Sequence, residues 1–279
     1  MAQHYLEFER PIAELESKIE ELSKLAEDAD PDSFDREIEA LRARTLELRR
    51  EAYAGLDPWQ KTQVARHPER PHFSHYVAQL VENFEELRGD RNFADDQAIV
   101  GGLGRFRGSA VVVMGHEKGH DTAGRIKHNF GMARPEGYRK AVRLMDLAER
   151  FNLPVITFVD TAGAYPGVGG EERGQAEAIA RSTERCLTLG TPMICTITGE
   201  GGSGGAIALA GGNRVMMLEH SIYSVITPEG GASILFRDRE QAPHMASSMK
   251  IVADDLKRLG VVDRAIASAW PRSSPPTPG

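Results

Sequence analysis

The sequence predicts an α/β protein whose sheet grows by repeated strand, glycine-loop and helix units behind an N-terminal helical hairpin. Three stretches carry this reading. "LPVITFVDTAGAYPG" from Leu153 and "TPMICTITGEGGSGG" from Thr191 each run as a continuous apolar strand into small residues and then a helix. Their prolines, Pro154 and Pro192, stand 38 residues apart, and "SIYSVITPEGGASILF" from Ser221 is a looser third copy. Strands without polar alternation belong to sheets covered on both faces, so the core spirals through these units.

The elements follow in chain order. In residues 11 to 54, Ile12, Leu15, Ile19 and Leu22 recur at three and four. Phe34, Ile38, Leu41 and Leu48 do the same with Thr45 between, which gives two helices. "DADPDS" breaks the pattern and supplies caps, and Gly55 stops the second helix. The result is an antiparallel hairpin with charged outer faces, expected to pack within the molecule or against a subunit. Asp57-Pro58 and Ser74 read as helix starts. "QAIVGGLGRFRGSAVVVMGHEK" reads as two strands joined around Arg107-Gly108. "PEGYRKAVRLMDLAERF" is an amphipathic helix opening at Pro135, and "APHMASSMKIVADDLKRLG" gives one closing helix. After Ile266, "ASAWPRSSPPTPG" is expected to be disordered. The expected division is a hairpin over 1–55, a main unit over 56–266 and a tail over 267–279.

Bulk properties narrow the function. With 279 residues, the chain has room for one large domain or two small ones. A net charge of −7 offers no broad electrostatic case for nucleic acid. No apolar run reaches the roughly 18 residues needed to span a bilayer. The opening "MAQHYLEFERPIAELE" has no signal-peptide core, so a cytoplasmic protein is expected. Cys186 and Cys195 lack metal-ligand spacing and read as buried reduced thiols.

"TGEGGSGGAIALAGG", residues 198 to 212, supports several chemistries at once. Gly201-Gly202-Ser203-Gly204-Gly205 satisfies the G-x-S-x-G of a serine-hydrolase elbow. That reading needs an acid and then a histidine, and the late candidates, Asp238 or Glu240 and His244, crowd one polar segment. Gly199, Gly201 and Gly204 satisfy G-x-G-x-x-G, with Glu219 at the distance of a ribose-binding acid, but late in the chain. In the backbone reading, Gly204 and Gly205 open a helix whose first amides lack intrahelical partners and lie at its positive end. Without a Cβ they let a planar carbonyl approach, as an oxyanion or enolate requires. The bland alternative is a tight, packed strand-to-helix turn. "HEKGH", His116 to His120, matches the zinc-protease H-E-x-x-H. It follows the β-branched "AVVVMG" and contains Gly119, so a helix is not expected there.

Four longer stretches carry a family likeness: "NFGMARPEGYRKAVRLM" (129–145), "DTAGAYPGVGGEERGQAEAIAR" (160–181), "GEGGSGGAIAL" (199–209) and "YSVITPEGGASIL" (223–235). From about residue 5 to 266 the chain resembles the α subunit of bacterial acetyl-CoA carboxylase carboxyltransferase, in the crotonase/ClpP-like superfamily. The resemblance implies a crotonase-type spiral of ββα repeats. It implies a β subunit as partner, an α2β2 assembly and active sites at the subunit interface. The implied reaction moves a carboxyl group from carboxybiotin, on the biotin carboxyl carrier protein, to acetyl-CoA. The product is malonyl-CoA, at the first committed step of fatty acid synthesis. ATP is implied to be used by biotin carboxylase, not by this chain.

The implied oxyanion hole falls on the N–H groups of Gly204 and Gly205, holding the biotin ureido oxygen. Gly201, Gly202 and Ser203 would then line the substrate, with Ser203 a spacer. Tyr165, Pro166 and Gly167 would flank the biotin ring, and Pro228, Glu229, Gly230 and Gly231 would form a further wall. Arg125, Lys127, His128, Arg134, Arg139 and Lys140 are either a solvated patch or a surface for CoA phosphates or an acidic carrier. Two departures stand out. Ala162 replaces a proline usual in the family, and the residues after "VVDRAI" differ from its continuation into a proline-glycine-glycine turn and further helices. The expectation from the second is a folded core with weakened assembly.

Overall fold

In the computed structural model, residues 4–28 and 34–267 are described; the linker at 29–33 and the tail expected to be disordered, from 268 on, lie outside the described residues. Helices α1 (Arg10–Asp28) and α2 (Asp35–Ala54) form the hairpin that the apolar spacing predicts. Ile12 of α1 and Ile38, Thr45 and Tyr53 of α2 are buried. Thr45 is tolerated there because its hydroxyl donates back to the Leu41 carbonyl at 2.8 Å. Glu9, also buried, accepts from the Tyr53 hydroxyl at 2.7 Å.

Helix α3 (Pro58–Ala65) starts at Asp57 in a capping box, Gln60 N donating to Asp57 Oδ1 at 2.8 Å. Helix α4 (Phe73–Leu80) starts at His72, two residues before the expected Ser74. The Ser74 amide is drawn instead to the buried Glu117 carboxylate at 2.9 Å.

The sheet begins with an antiparallel run of three strands, β1 (Glu82–Glu86), β2 (Ile99–Phe106) and β3 (Ser109–His116). The β2–β3 turn is the predicted Arg107-Gly108, with φ of 49° and 81°, the left-handed pair that a two-residue hairpin needs. Parallel strands continue the sheet: β4 (Val155–Thr161), β5 (Met193–Gly202), β6 (Arg214–Leu218) and β8 (Arg264–Ile266). Strand β5 is shared. Ile194 to Ile197 pair with β6, whereas Glu200 to Gly202 pair with β7 (Ile222–Ser224). The end of β5, with its glycine-rich stretch, thus runs between β7 and Thr161 of β4.

Two short helices, α5 (Thr122–Lys127) and α7 (Val168–Glu172), join the longer ones. Helices α6 (Pro135–Arg150), α8 (Gln175–Thr188) and α9 (Ser203–Ala210) build the large core with Val112, Met114, Val159, Met193, Ile197 and Met217 of the strands. Helix α4 covers the opposite face through Phe73 and Val77 against Val111, Val113 and Phe158. Thr157 and Ser182 hydroxyls donate to the Leu209 and Ala208 carbonyls at 2.8 and 2.7 Å, tying α9 down. Cys186 and Cys195 are buried free thiols, pushed up to about 11 and about 12 by burial.

The single closing helix is a miss. Helices α11 (Ala242–Ser248) and α12 (Ala253–Arg258) are separate. Lys250 takes a left-handed φ of 57°, and the next two residues bond to β7, Tyr223 N donating to Ile251 O at 3.0 Å. That strand contact outcompetes helix continuation. No helix among the described residues is long and apolar enough to cross a membrane.

Candidate active site at three glycine turns

The ends of β4, β5 and β7 bring three turns together. At the first, Thr161 Oγ1 donates to Gly163 O at 2.7 Å, and the Tyr165 amide donates to Ala133 O at 3.0 Å. Gln175 Nε2 donates to the carbonyls of Ala133 and Tyr165 at 2.9 and 3.1 Å, clamping the loop to the start of α6. The Tyr165 ring is half-buried beneath the Arg134 guanidinium at 4.8 Å, and Pro166 is exposed. The ring also leans over Gly167, where a Cβ would stand 2.2 Å from the Tyr165 hydroxyl.

At the second turn β5 passes into α9 without a loop. Ser203 takes a φ of 51°, which makes the sharp change of direction. No side chain caps α9, so its first amides lack a local acceptor. Gly205 is buried hard against the first turn: a Cβ there would stand 2.7 Å from Gly163 C. Gly202 is tighter still, with Ala162 O at 2.2 Å. Gly204 differs, since a Cβ there would meet only the Ile179 side chain, nearest at 3.3 Å. Gly204 is half-buried, and a Cβ there would press on a side chain of α8 and not on backbone.

The third turn starts α10 (Pro228–Leu235), where Thr227 Oγ1 accepts from Gly230 N at 3.1 Å. The Glu229 carboxylate pairs with Arg66 at 2.5 Å. Burial alone raises the Glu229 carboxyl, but the hydrogen bonds from Arg66 outweigh it and hold the group below its ordinary value.

The alternatives fare differently. Ser203 shares the left-handed conformation of an elbow serine, but the proposed relay is elsewhere. Asp238 accepts from Glu240 N at 2.9 Å, and the His244 ring packs on Phe236 at 5.5 Å. The G-x-G-x-x-G run spans the end of the fifth strand and the start of α9, not the turn after the first strand, and Glu219 sits after β6 with its amide on Ile266 O at 2.8 Å. His116 ends β3, and the rest of "HEKGH" runs into a loop, so its histidines share no helix face. The basic cluster divides. Lys140 is buried on Asp95 Oδ1 at 2.6 Å and Asp96 O at 2.5 Å, and Arg139 pairs with Asp90 at 2.8 Å and Glu136 at 3.0 Å. These two brace the fold. Arg134 and Lys127 are exposed, and Arg125 and His128 are half-buried.

Asp160, Glu200, Arg66 and Lys118 belong to the site and were missed in the sequence. Asp160 is buried, accepts from Glu200 N at 2.9 Å and pairs with Lys118 at 2.6 Å. The available signal was an acid, Glu200, between glycines in a strand otherwise free of charge.

Burial dominates the histidines nearby. His116 is pushed down to about 4 by desolvation, against the pull of Asp160. His72 and His220 are lowered to about 4 for the same first reason. A histidine kept neutral in the fold but protonated in the unfolded chain costs nothing above about 6.5, and its stability is lost as pH falls toward 4. Asp96, raised by burial, opposes the three. The thermal midpoint is expected to fall between pH 6.5 and 4; a midpoint flat or rising across that window contradicts this.

Comparison with known proteins places these features in context. The family described as acetyl co-enzyme A carboxylase carboxyltransferase-like matches residues 5–271. Acetyl-coenzyme A carboxylase carboxyl transferase subunit alpha of Caulobacter vibrioides (strain NA1000 / CB15N) is 77% identical over 266 residues, 95% of this chain and 83% of that protein. Its counterpart in Phenylobacterium zucineum (strain HLK1) is 72% identical over the same shares. Among solved structures, transcarboxylase 12S, with methylmalonyl-coenzyme A and methylmalonic acid bound, superposes at a TM-score of 0.61 and 19% identity, covering 74% of this chain and 41% of that one. The beta subunit of P. aeruginosa geranyl-CoA carboxylase follows at 0.58 and 17%, covering 76% and 42%. The chain spans about two fifths of the length of either, and the likeness is one of fold.

Proposed function

The chain belongs to the acetyl-CoA carboxylase carboxyltransferase family, on its alpha-subunit side, and from that premise we propose that the Gly204 and Gly205 N–H groups hold the ureido oxygen of carboxybiotin during carboxyl transfer to acetyl-CoA. The fold is the crotonase type of ββα units. The activity is that of a carboxyltransferase subunit that forms malonyl-CoA for fatty acid synthesis.

The observation that supports the site is the uncapped start of α9, with half-buried Gly204 free of close backbone contact there. The residues fit a flat, anionic-edged group: two glycines at the uncapped start of α9 offer main-chain N–H groups with no side chain of their own beside them. When bound, carboxybiotin supplies the activated carboxyl group and a basic ureido nitrogen able to take a proton from acetyl-CoA. The chain's own part is to bind and orient. Two preorganised N–H groups at the positive end of α9 stabilise developing negative charge on oxygen, each worth about 3 kcal/mol of barrier. Tyr165, backed by Arg134, walls one side, with Pro166 and Gly167 completing that turn. Glu229 and Gly230 form the other wall. Gly201 and Gly202 give the strand its close passage, and Ser203 is a spacer. The partner β subunit provides the hole for the thioester enolate, and the carrier protein delivers biotin to an interface site of an α2β2 assembly. Biotin carboxylase, not this chain, uses the ATP. The assembly is cytoplasmic, and the chain divides into a helical hairpin over 1–55, whose Tyr53 packs on Val64, and the catalytic 56–266.

Mixing the chain with β subunit and biotinylated, carboxylated carrier tests this reading. Malonyl-CoA is expected from the mixture and not from this chain alone. Turnover by this chain alone, or none in the full mixture, overturns it.

A further inference from the structure

One guanidinium ties the glycine turns together and has no part in the chemistry above. Arg66 follows α3 directly and is largely shielded by its partners. Its Nε and Nη2 donate to Oε1 of Glu200 at 2.9 and 2.7 Å. Its Nη1 and Nη2 donate to Oε1 and Oε2 of Glu229 at 2.5 and 3.3 Å. The two acids lie 134 and 163 residues away along the chain. Glu200, with its side chain 6% exposed, stands in β5 just before the turn into α9. Glu229 stands in the first turn of α10. The Glu200 peptide is also held from behind, by Asp160 on its amide and Lys118 on Asp160.

We propose that Arg66 is a positioning residue for carboxyl transfer, setting the spacing between the α9 amides and the α10 wall by holding Glu200 and Glu229 on one fork. The proposal rests on the reading of the α9 turn as the oxygen-binding element. Without the cation, two carboxylates face each other in a shielded site and must swing apart. The β5 end and α10 then lose their common reference. A planar fork can satisfy both acids at once; an ammonium, a point charge on a flexible stem, cannot fix both.

The test uses the complete complex with β subunit and biotinylated carrier. Arg66→Met alone strands a buried carboxylate and risks the fold. Two other variants avoid this. Arg66→Met/Glu200→Gln removes the tie and the buried charge together. Arg66→Lys keeps a cation against the acids but loses the fork. Both are expected to assemble and to melt near the wild type. In both, kcat should drop roughly 10- to 100-fold, as a displacement of about 1 Å in a preorganised site does. The KM for acetyl-CoA should move less than about threefold, because the lost interaction acts in the transition state. A structural role alone predicts that turnover returns along with melting temperature. Turnover at the wild-type rate in either variant overturns the proposal. A wild-type complex that makes no malonyl-CoA instead overturns the functional reading, and this proposal with it.

Discussion

Gly204→Val is expected to reduce malonyl-CoA formation in the reconstituted complex by about a hundredfold or more, the scale of losing an oxyanion contact, while the fold stays intact. A Cβ at residue 204 meets no backbone, and its nearest neighbour, the half-buried Ile179 side chain at 3.3 Å, has to give by only a few tenths of an ångström. A branched side chain at this position crowds the start of α9, whose amides an oxygen has to reach. Circular dichroism and melting should resemble wild type, and co-purification with the β subunit should persist. Unchanged turnover would remove the oxygen-binding role from this helix start.

Gly202→Ala is expected to fail for the opposite reason. Its Cβ would stand 2.2 Å from the Ala162 carbonyl oxygen and 2.3 Å from the carbonyl carbon. Neither is a side chain that can rotate away. Relief requires moving the end of β5 away from the turn after β4, where Thr161 pairs with Gly201. A loss of at least roughly 3 kcal/mol is expected, at the upper end of single substitutions, because backbone must move against backbone. Urea denaturation measures it; a midpoint equal to wild type contradicts the close packing. Neighbouring glycines differ in what they meet: Gly202 and Gly205 permit close approach of backbone to backbone, and Gly204 lies against a side chain alone.

Much of the architecture is legible in local pattern. The hairpin of α1 and α2, the Arg107-Gly108 turn, the opening of α6 at Pro135 and the strand-to-helix units at Leu153 and Thr191 follow from periodicity and turn chemistry. What escaped depends on contacts far along the chain. Strand β1, "ENFEE", has four exposed positions of five and no apolar alternation. It is a strand because β2 offers an edge, with Glu85 opposite Leu103. The closing helix is split by the bonds of residues 251 and 252 to β7, which no helical propensity reveals. Arg139 and Lys140 look like part of a surface patch when read as a basic cluster. Asp90, Asp95 and Asp96, some 45 residues earlier, draw them inward.

The site shows the same division. The glycine run advertised itself, because repeated glycine at a strand end has few other uses. Arg66 did not, because it ends an ordinary short helix and its partners are more than 130 residues distant. Ser203 illustrates a signal with two causes. Its left-handed φ suits a nucleophile elbow, and it equally suits a strand turning straight into a helix. Only the absence of a histidine or acid hydrogen-bonded to it, among the described residues, separates the two.

The central claim, that main-chain N–H groups perform the work here, is tested most directly by replacing the Gly204 amide with an ester. The change deletes one N–H that has no intrahelical acceptor and adds no side chain. Turnover of the reconstituted complex is predicted to fall about a hundredfold or more, with Ser203→Ala close to wild type. An ester variant that forms malonyl-CoA at the wild-type rate would contradict the account.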